Sequence, residues 1–278
     1  MMELEEIAGR HDIAIIDSSS IQYSAMSNGL PEEMYDKKIE VAIDNKTISC
    51  LLSLVEDRIR DFSSIPNLFV INEVVEEIRD YLGIVNQKIN FFRRGLFRRE
   101  HGLPLASKGP NRRQRIYTER DVSYAVDKTE KDNLANLENY AKHLYKLVRV
   151  ISERRLPIKR TDLLEKIRTI PLPENFFKSE KARERDTDRK IIAKAYELAL
   201  DGKDVAIITN DTHINDLLFL GFINSRPRIV ELPYNGNLTL YAVYGGLSYS
   251  PRFNTRVAKE NSRGAEMQQL HSLSASGK

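Results

Sequence analysis

The sequence predicts an α/β fold built around a mainly parallel sheet. Residues 13–16 and 205–209 form nearly uninterrupted apolar runs, and a third short run covers residues 68–71. Such runs are typical of parallel strands that are covered on both faces. A helical pattern separates the runs at 13–16 and 68–71, which completes a βαβ unit with its strong right-handed preference.

Helices are predicted wherever apolar residues recur with the helical period. The clearest pattern covers residues 46–62, with apolar side chains at 48, 51, 52, 55, 59 and 62. Further helices are predicted at 72–89, 132–153, 161–167 and 188–200. Gly202 stands where the last of these should end. Two more strands are predicted at 228–232 and 238–244, with a turn between them.

Length and composition narrow the class of protein. The chain has 278 residues, 41% of them hydrophobic, which is enough for one large domain or a domain with an insertion. Its single cysteine excludes an internal disulfide and favours a reducing compartment. The start of the sequence lacks an apolar signal core, and no apolar run is long enough to span a bilayer. We therefore expect a cytoplasmic protein without a membrane partner.

Positive charge is concentrated in residues 86–120. This segment holds ten Lys and Arg against two acids, a net charge of +8, which leaves −5 for the rest of a chain whose total is +3. The asymmetry favours an anionic polymer as partner, although a charge run is also typical of a solvated helix face. Phe91, Phe92, Phe97 and Tyr117 lie among the basic residues and either stack on unpaired bases or pack against the core.

Four acidic residues fall where the predicted elements should meet. Asp17 and Asp211 follow two predicted strands, and Glu77 and Asp188 lie near the starts of predicted helices. In open α/β sheets, ligands bind at the carboxyl edge of the strands, where these acids would gather. Carboxylates in close proximity repel one another unless a cation neutralises them, and hard cations such as Mg²⁺ prefer oxygen ligands. The pattern predicts a metal site, which favours phosphate chemistry.

Each acid also has a structural explanation. Asp17 could close a turn into the serines that follow it, and Glu77 alone is typical of a solvated helix position. Asp188, or Asp186 in its place, could cap a helix, as could Asp211. All of these alternatives would have to hold together, so we favour a joint site.

The residues around the four acids resemble those of the PIN-domain ribonucleases. The motifs are Ile-Ile-Asp-Ser-Ser at 15–19, Val-Val-Glu-Glu-Ile at 74–78, Asp-Arg-Lys-Ile-Ile-Ala-Lys-Ala at 188–195 and Ile-Thr-Asn-Asp at 208–211. They occur in the family's order and cover residues 12–85 and 184–245. The resemblance implies a three-layer α/β/α fold with a mainly parallel central sheet, and a divalent-metal site that cuts single-stranded or structured RNA.

The predicted organisation follows from this resemblance. A PIN-like core would comprise residues 12–90 and 184–245, interrupted by a basic, helical insertion at 91–183. Residues 252–278 are polar and Ser-rich, and we expect a disordered tail there.

The resemblance assigns roles to individual acids. Asp17, Glu77, Asp188 and Asp211 would be catalytic, with Mg²⁺ or Mn²⁺ as cofactor, and Glu76 is the neighbouring candidate for the role of Glu77. The metal would be held by Asp17, Asp188 and Asp211, and Asp216 is the first acid available as a further ligand. A bound divalent cation lowers the pKa of its water and neutralises charge on a phosphate.

Two further groups of residues would support this site. Ser18, Thr209 and Asn210 are placed to hydrogen-bond the ligand carboxylates. Arginines of the basic segment would contact RNA phosphates. These candidate RNA-binding residues are Arg93, Arg94, Arg98, Arg99, Arg112, Arg113 and Arg115.

The sequence therefore predicts a metal-dependent endoribonuclease. A non-catalytic RNA-binding or scaffold protein with the same fold, and a DNA-directed 5′-nuclease-like enzyme, remain open. A phosphohydrolase with an aspartyl nucleophile is disfavoured, because it needs an acid two residues after Asp17, where Ser19 stands. RNA is the expected partner, and a second copy of the chain and a protein inhibitor or antitoxin are further candidates.

Overall fold

The computed structural model describes residues 4–22, 45–101, 128–170, 180–211, 214, 217, 237–243 and 249–254. The chain divides into two compact units. The first, called the sheet unit, comprises Met1–Asn28, Arg60–Glu77 and Val150–Lys278. The second, called the helical unit, comprises Gly29–Ile59 and Ile78–Arg149.

A six-stranded sheet lies in the sheet unit. Its strands are β1 (Ile13–Ile16), β2 (Leu68–Ile71), β3 (Arg155–Leu156), β4 (Asp204–Thr209), β5 (Asn237–Val243) and β6 (Tyr249–Asn254). Their spatial order is β3-β2-β1-β4-β5-β6. The strands from β3 to β5 pair in parallel, and β6 runs antiparallel to β5. The predicted α/β fold with a mainly parallel sheet is confirmed.

The central strands β1 and β4 are buried because they consist almost entirely of aliphatic residues. They pair in the register Ile13 to Val205 and Ile16 to Ile208. Residues 14–16 and 205–208 are fully buried. Consecutive buried residues require cover on both faces of the sheet, since neighbouring side chains point to opposite faces. The register also brings the residues that follow Ile16 and Ile208 to the same edge.

The five longest of the described helices form where the apolar periodicity predicts them, and three short helices accompany them. They are α1 (Leu4–Arg10), α2 (Ser18–Gln22), α3 (Asn45–Ser64), α4 (Asn72–Glu100), α5 (Lys128–Glu153), α6 (Thr161–Arg168), α7 (Glu180–Arg185) and α8 (Thr187–Leu200). Helix α8 packs against β4 and β5. Gly202 follows α8 with φ at 82°, a conformation that glycine adopts without strain, so the predicted helix end is confirmed.

The helical unit is held together by the apolar sides of its helices. Tyr81 of α4 and Tyr140 of α5 are buried, with their hydroxyls 3.2 Å apart and their rings meeting edge to face at 6.5 Å. Burial of one helix side against its neighbours contributes most of the stability of such helices. The buried residues of α4 in this unit are Ile78, Tyr81, Leu82, Val85, Ile89 and Leu96.

Three boundaries differ from the predicted ones. Helix α4 continues to Glu100 instead of ending near residue 89. Leu96 extends the buried side of the helix, and arginines occupy positions on its exposed side. Strand β3 pairs with β2, and α6 also belongs to the sheet unit, although the sequence predicts an insertion over 91–183. Strand β6 includes residues 252–254, which the sequence assigns to the polar tail.

Five of the described elements have no counterpart in the sequence prediction: α1, α2, α7, β3 and β6. The predicted strand at 228–232 and residues 255–278 of the predicted tail lie outside the described residues. Within the described part of the chain, no helix combines the length and the apolar character needed to cross a membrane.

Candidate active site

The four acids predicted as catalytic lie in the sheet unit, near the carboxyl ends of neighbouring strands. Asp17 directly follows β1, and its backbone N–H donates to the carbonyl of Ile208 in β4 at 2.9 Å. Asp211 lies two residues beyond β4. Glu77 lies in the second turn of α4, which begins directly after β2, and Asp188 is the second residue of α8. The parallel sheet therefore brings distant parts of the chain to one edge.

Asp17 is buried among hydrogen-bond donors. Its Oδ2 accepts hydrogen bonds from the hydroxyl of Ser19 at 2.5 Å and from the hydroxyl of Thr209 at 3.1 Å. Its Oδ1 accepts a hydrogen bond from the backbone N–H of Ser18 at 2.7 Å. Burial raises the pKa of the Asp17 carboxyl, the hydrogen bond from Ser19 lowers it, and the negative charge of Asp211 raises it again.

Glu77 connects the starts of two helices. Its Oε2 accepts from the hydroxyl of Ser18, the first residue of α2, at 2.5 Å, and its Oε1 accepts from the hydroxyl of Thr187, the first residue of α8, at 2.6 Å. Burial raises the pKa of the Glu77 carboxyl, and these two hydrogen bonds lower it. Because both of its oxygens accept hydroxyl protons, Glu77 is suited to positioning its neighbours.

Asp188 is the acid with an uncommitted carboxylate, since it accepts no hydrogen bond from any described residue. The pKa of its carboxyl is raised to about 8, first by burial and then by the negative charges of Asp17, Asp211, Glu77 and Asp186, in that order. These four charges are all carboxylates. An ionised Asp188 is therefore unfavourable unless a cation joins the cluster.

Thr209 links the ends of β1 and β4. Its side chain is fully buried, and its hydroxyl donates to Asp17 while accepting from the backbone N–H of Asp211 at 2.9 Å. The second hydrogen bond holds the backbone of Asp211 next to the strand end. Asp211 is close enough for its charge to raise the pKa of both Asp17 and Asp188.

The predicted supporting residues divide into two groups. Ser18 and Thr209 hydrogen-bond candidate acids, as the sequence predicts. Asn210 hydrogen-bonds no acid among the described residues. Its side chain accepts from the hydroxyl of Ser20 at 3.4 Å, and its backbone N–H donates to the hydroxyl of Ser19 at 3.0 Å, so both groups point toward the start of α2.

The capping explanation for Asp188 is also wrong, because Asp186 is the N-cap residue of α8. Asp186 has a left-handed backbone with φ at 52°, which costs free energy for a residue with a side chain. Its side chain caps no backbone N–H and instead accepts from Arg168 at 3.1 Å. For Asp17, the turn explanation holds together with the site, because its carboxylate accepts from the backbone N–H of Ser18 at the start of α2.

The donor chemistry of the cluster fits a hard divalent cation, since all of its ligands would be carboxylate oxygens. The carboxylates are not, however, arranged as a complete set of metal ligands. Among the described residues, no group of three or more His, Cys, Asp or Glu is arranged to hold a metal ion. Asp17 and Glu77 direct their oxygens toward hydroxyl and backbone donors, so binding an ion requires side chains to turn, and Asp188 can turn without breaking a hydrogen bond.

Sequence reasoning missed two residues of the site, Ser19 and Thr187. Their hydroxyls donate to Asp17 and Glu77 respectively. Each directly adjoins a predicted residue, Ser18 in one case and Asp188 in the other. A search for hydroxyl residues beside candidate acids would have found them, because buried carboxylates need donors.

The basic segment is described only in part. Arg93 pairs with Glu138 of α5 at 2.9 Å. For this residue, the pair supports the interpretation that the charge run is a solvated helix face. Arg94 is exposed and Arg98 is half-buried. The following predicted residues or side chains lie outside what the structure describes: Arg99, Arg112, Arg113, Arg115 and Asp216.

Comparisons with family models, curated proteins and solved structures found no match for this chain.

Proposed function

We propose that this protein is a metal-dependent endoribonuclease with a PIN-like, three-layer α/β/α core. The observation that supports this most strongly is the convergence of Asp17, Glu77, Asp188 and Asp211 at the carboxyl edge of the sheet. Burial, together with the charges of the other three acids and Asp186, raises the pKa of Asp188 to about 8. Perturbed carboxyls gathered in this way are typical of functional sites.

The acids would have different tasks. Asp17, Asp188 and Asp211 would hold Mg²⁺ or Mn²⁺, which when bound supplies an activated water and neutralises charge on the phosphate. Glu77 would position the site, because it holds the starts of α2 and α8 through Ser18 and Thr187. Thr209 and the backbone N–H of Ser18 would keep the Asp17 carboxylate oriented.

RNA is the proposed substrate for two reasons. The four motifs around the acids resemble those of the PIN-domain ribonucleases. Helix α4 also ends in a segment with four arginines between residues 93 and 99, and arginines supply affinity for phosphates without regard to sequence.

Cleavage of labelled single-stranded RNA by the full chain tests this function. We expect products with 5′-phosphate ends in Mn²⁺ or Mg²⁺ and none in EDTA. Asp188→Asn and Asp211→Asn should each lower the cleavage rate by about 100-fold or more, since each removes a charge that would hold the metal. Glu76→Gln is the matched control, because Glu76 neighbours Glu77 on α4 but is exposed and faces Arg185 at 3.9 Å.

The alternatives predict different results. A non-catalytic RNA-binding protein would bind the strand without cutting it in any metal. A DNA-directed enzyme would cut flap or duplex DNA in preference to RNA. Cleavage that persists in EDTA, or that Asp188→Asn leaves unchanged, would contradict the proposed site.

A further inference from the structure

The last two turns of α4 and the residue that follows them present an aromatic and basic stripe, defined here as Arg94, Phe97, Arg98 and His101. These positions have the spacing of residues that share one side of a helix. The buried side of the same helix segment is occupied by Leu96. The stripe is therefore separate from the apolar packing of the helical unit.

Phe97 is exposed and stacked at the same time. Its side chain is 54% exposed, and its ring lies 4.2 Å from that of His101 with 28° between the ring planes. The Nδ1–H of His101 donates to the carbonyl of Phe97 at 2.9 Å, which fixes the imidazole against the phenyl ring. One ring face is thus supported while much of the ring remains accessible to a further planar group.

The charge around the stripe suits an anion. Arg94 is exposed and makes no ion pair or hydrogen bond with any described residue. Glu100 is the acid closest to the stripe along the sequence, and its charge is already compensated because it pairs with Lys131 at 2.6 Å. A planar aromatic stack beside the exposed guanidinium of Arg94 matches unpaired bases joined by phosphates.

We infer that the stripe binds single-stranded RNA by stacking one base on Phe97 while Arg94 contacts the adjoining phosphate. The inference rests on the proposed function, because it describes how that substrate is held. A protein partner fits less well, since Phe97 is one exposed ring and not part of a wide apolar patch on the described surface.

Fluorescence anisotropy in EDTA, where no cleavage is expected, tests this inference with the full chain. The probes are a short oligoadenylate and a strand of equal length that lacks bases. Phe97→Ala should weaken oligoadenylate binding about tenfold, in line with the measured strength of base stacking on aromatic side chains, and should leave the abasic strand unaffected. Arg94→Gln should weaken binding of both strands to a similar extent.

Two controls sharpen the result. Phe97→Trp should retain binding because it keeps a stacking surface. Tyr145→Ala should have no effect, because Tyr145 is the other large exposed side chain among the described hydrophobic residues, at 67%, and lies on α5. Equal binding of oligoadenylate by Phe97→Ala and the wild type would overturn the inference, and so would equal losses on both strands. If the base-selective loss occurs in a protein that never cuts RNA, the inference holds and the proposed function fails.

Discussion

Asp188 gives the most direct physical test of the acidic cluster. Its carboxyl keeps a proton in the folded chain up to a pH of about 8, whereas the ordinary pKa of an aspartate side chain is 3.8. Between these values the folded state binds more protons than the unfolded state, so stability falls as the pH rises through this window. Asp188→Asn removes the ionisable group with little change of shape and should abolish that fall.

The structure sets the size of the effect. At about 1.4 kcal/mol for each pKa unit, the change from 3.8 to about 8 gives an upper limit of about 6 kcal/mol. Asp188 is half-buried and its neighbours titrate with it, so water and shared protons reduce this value. We expect Asp188→Asn to be more stable than the wild type by about 1–3 kcal/mol at high pH and equally stable at low pH.

Urea unfolding followed by circular dichroism measures this difference. The two proteins should be compared in EDTA near the lower and upper ends of the window, and again with Mn²⁺. The ion should stabilise the wild type most at high pH, because it binds the folded state and replaces the missing counter-charge. Glu76→Gln controls for the loss of an exposed carboxylate on the same unit. If Asp188→Asn and the wild type lose the same stability with pH in EDTA, the like-charge reasoning fails.

Two other predictions concern hydrogen bonds to buried carboxylates. Thr187→Val should lower cleavage about tenfold without weakening RNA binding, because it removes one of the two hydroxyl donors that hold Glu77, and Thr187→Ser should restore the rate. Glu197→Ala should destabilise the chain by about 3 kcal/mol in urea unfolding. The substitution leaves the buried ammonium of Lys194 without its carboxylate partner, and it removes the acceptor for the backbone N–H groups of Lys159 and Arg160. Glu197→Gln should cost less, because it keeps the acceptor.

The central strands could be predicted because their sequence has one favourable arrangement. The aliphatic runs of β1 and β4 must be covered on both faces, and this fixes them in the middle of a sheet. Strand β3 could not be predicted, because Arg155 and Leu156 are two residues without a pattern and their conformation comes from pairing with β2. Strand β6 contains Pro251 and polar residues, and such composition is tolerated at a sheet edge but does not indicate one.

The candidate site also contains residues that could be predicted from the sequence and residues that could not. Asp17 and Asp211 follow strands, so chain position alone brings them to the carboxyl edge. The roles of Ser19 and Thr187 depend on where their hydroxyls point, and this depends on the turns at the starts of α2 and α8. Asn210 shows the limit of chain position, since within the described residues its side chain accepts from Ser20 and hydrogen-bonds no acid.

The acidic residues near the two ends of β4 differ in how many hydrogen-bond donors surround them. This difference favours a functional role over a structural one for the acids near the carboxyl end. At the amino end, Asp204 accepts from His11 at 2.9 Å and from Asn237 at 3.0 Å, and the second ring nitrogen of His11 lies 2.8 Å from the hydroxyl of Tyr241. That acid is half-buried and is supplied with donors. At the carboxyl end, Asp188 has no donor among the described residues and meets the charge of other carboxylates. A fold that satisfies one acid in this way would gain stability by replacing the other, so a cluster that opposes folding supports the proposed binding of a cation.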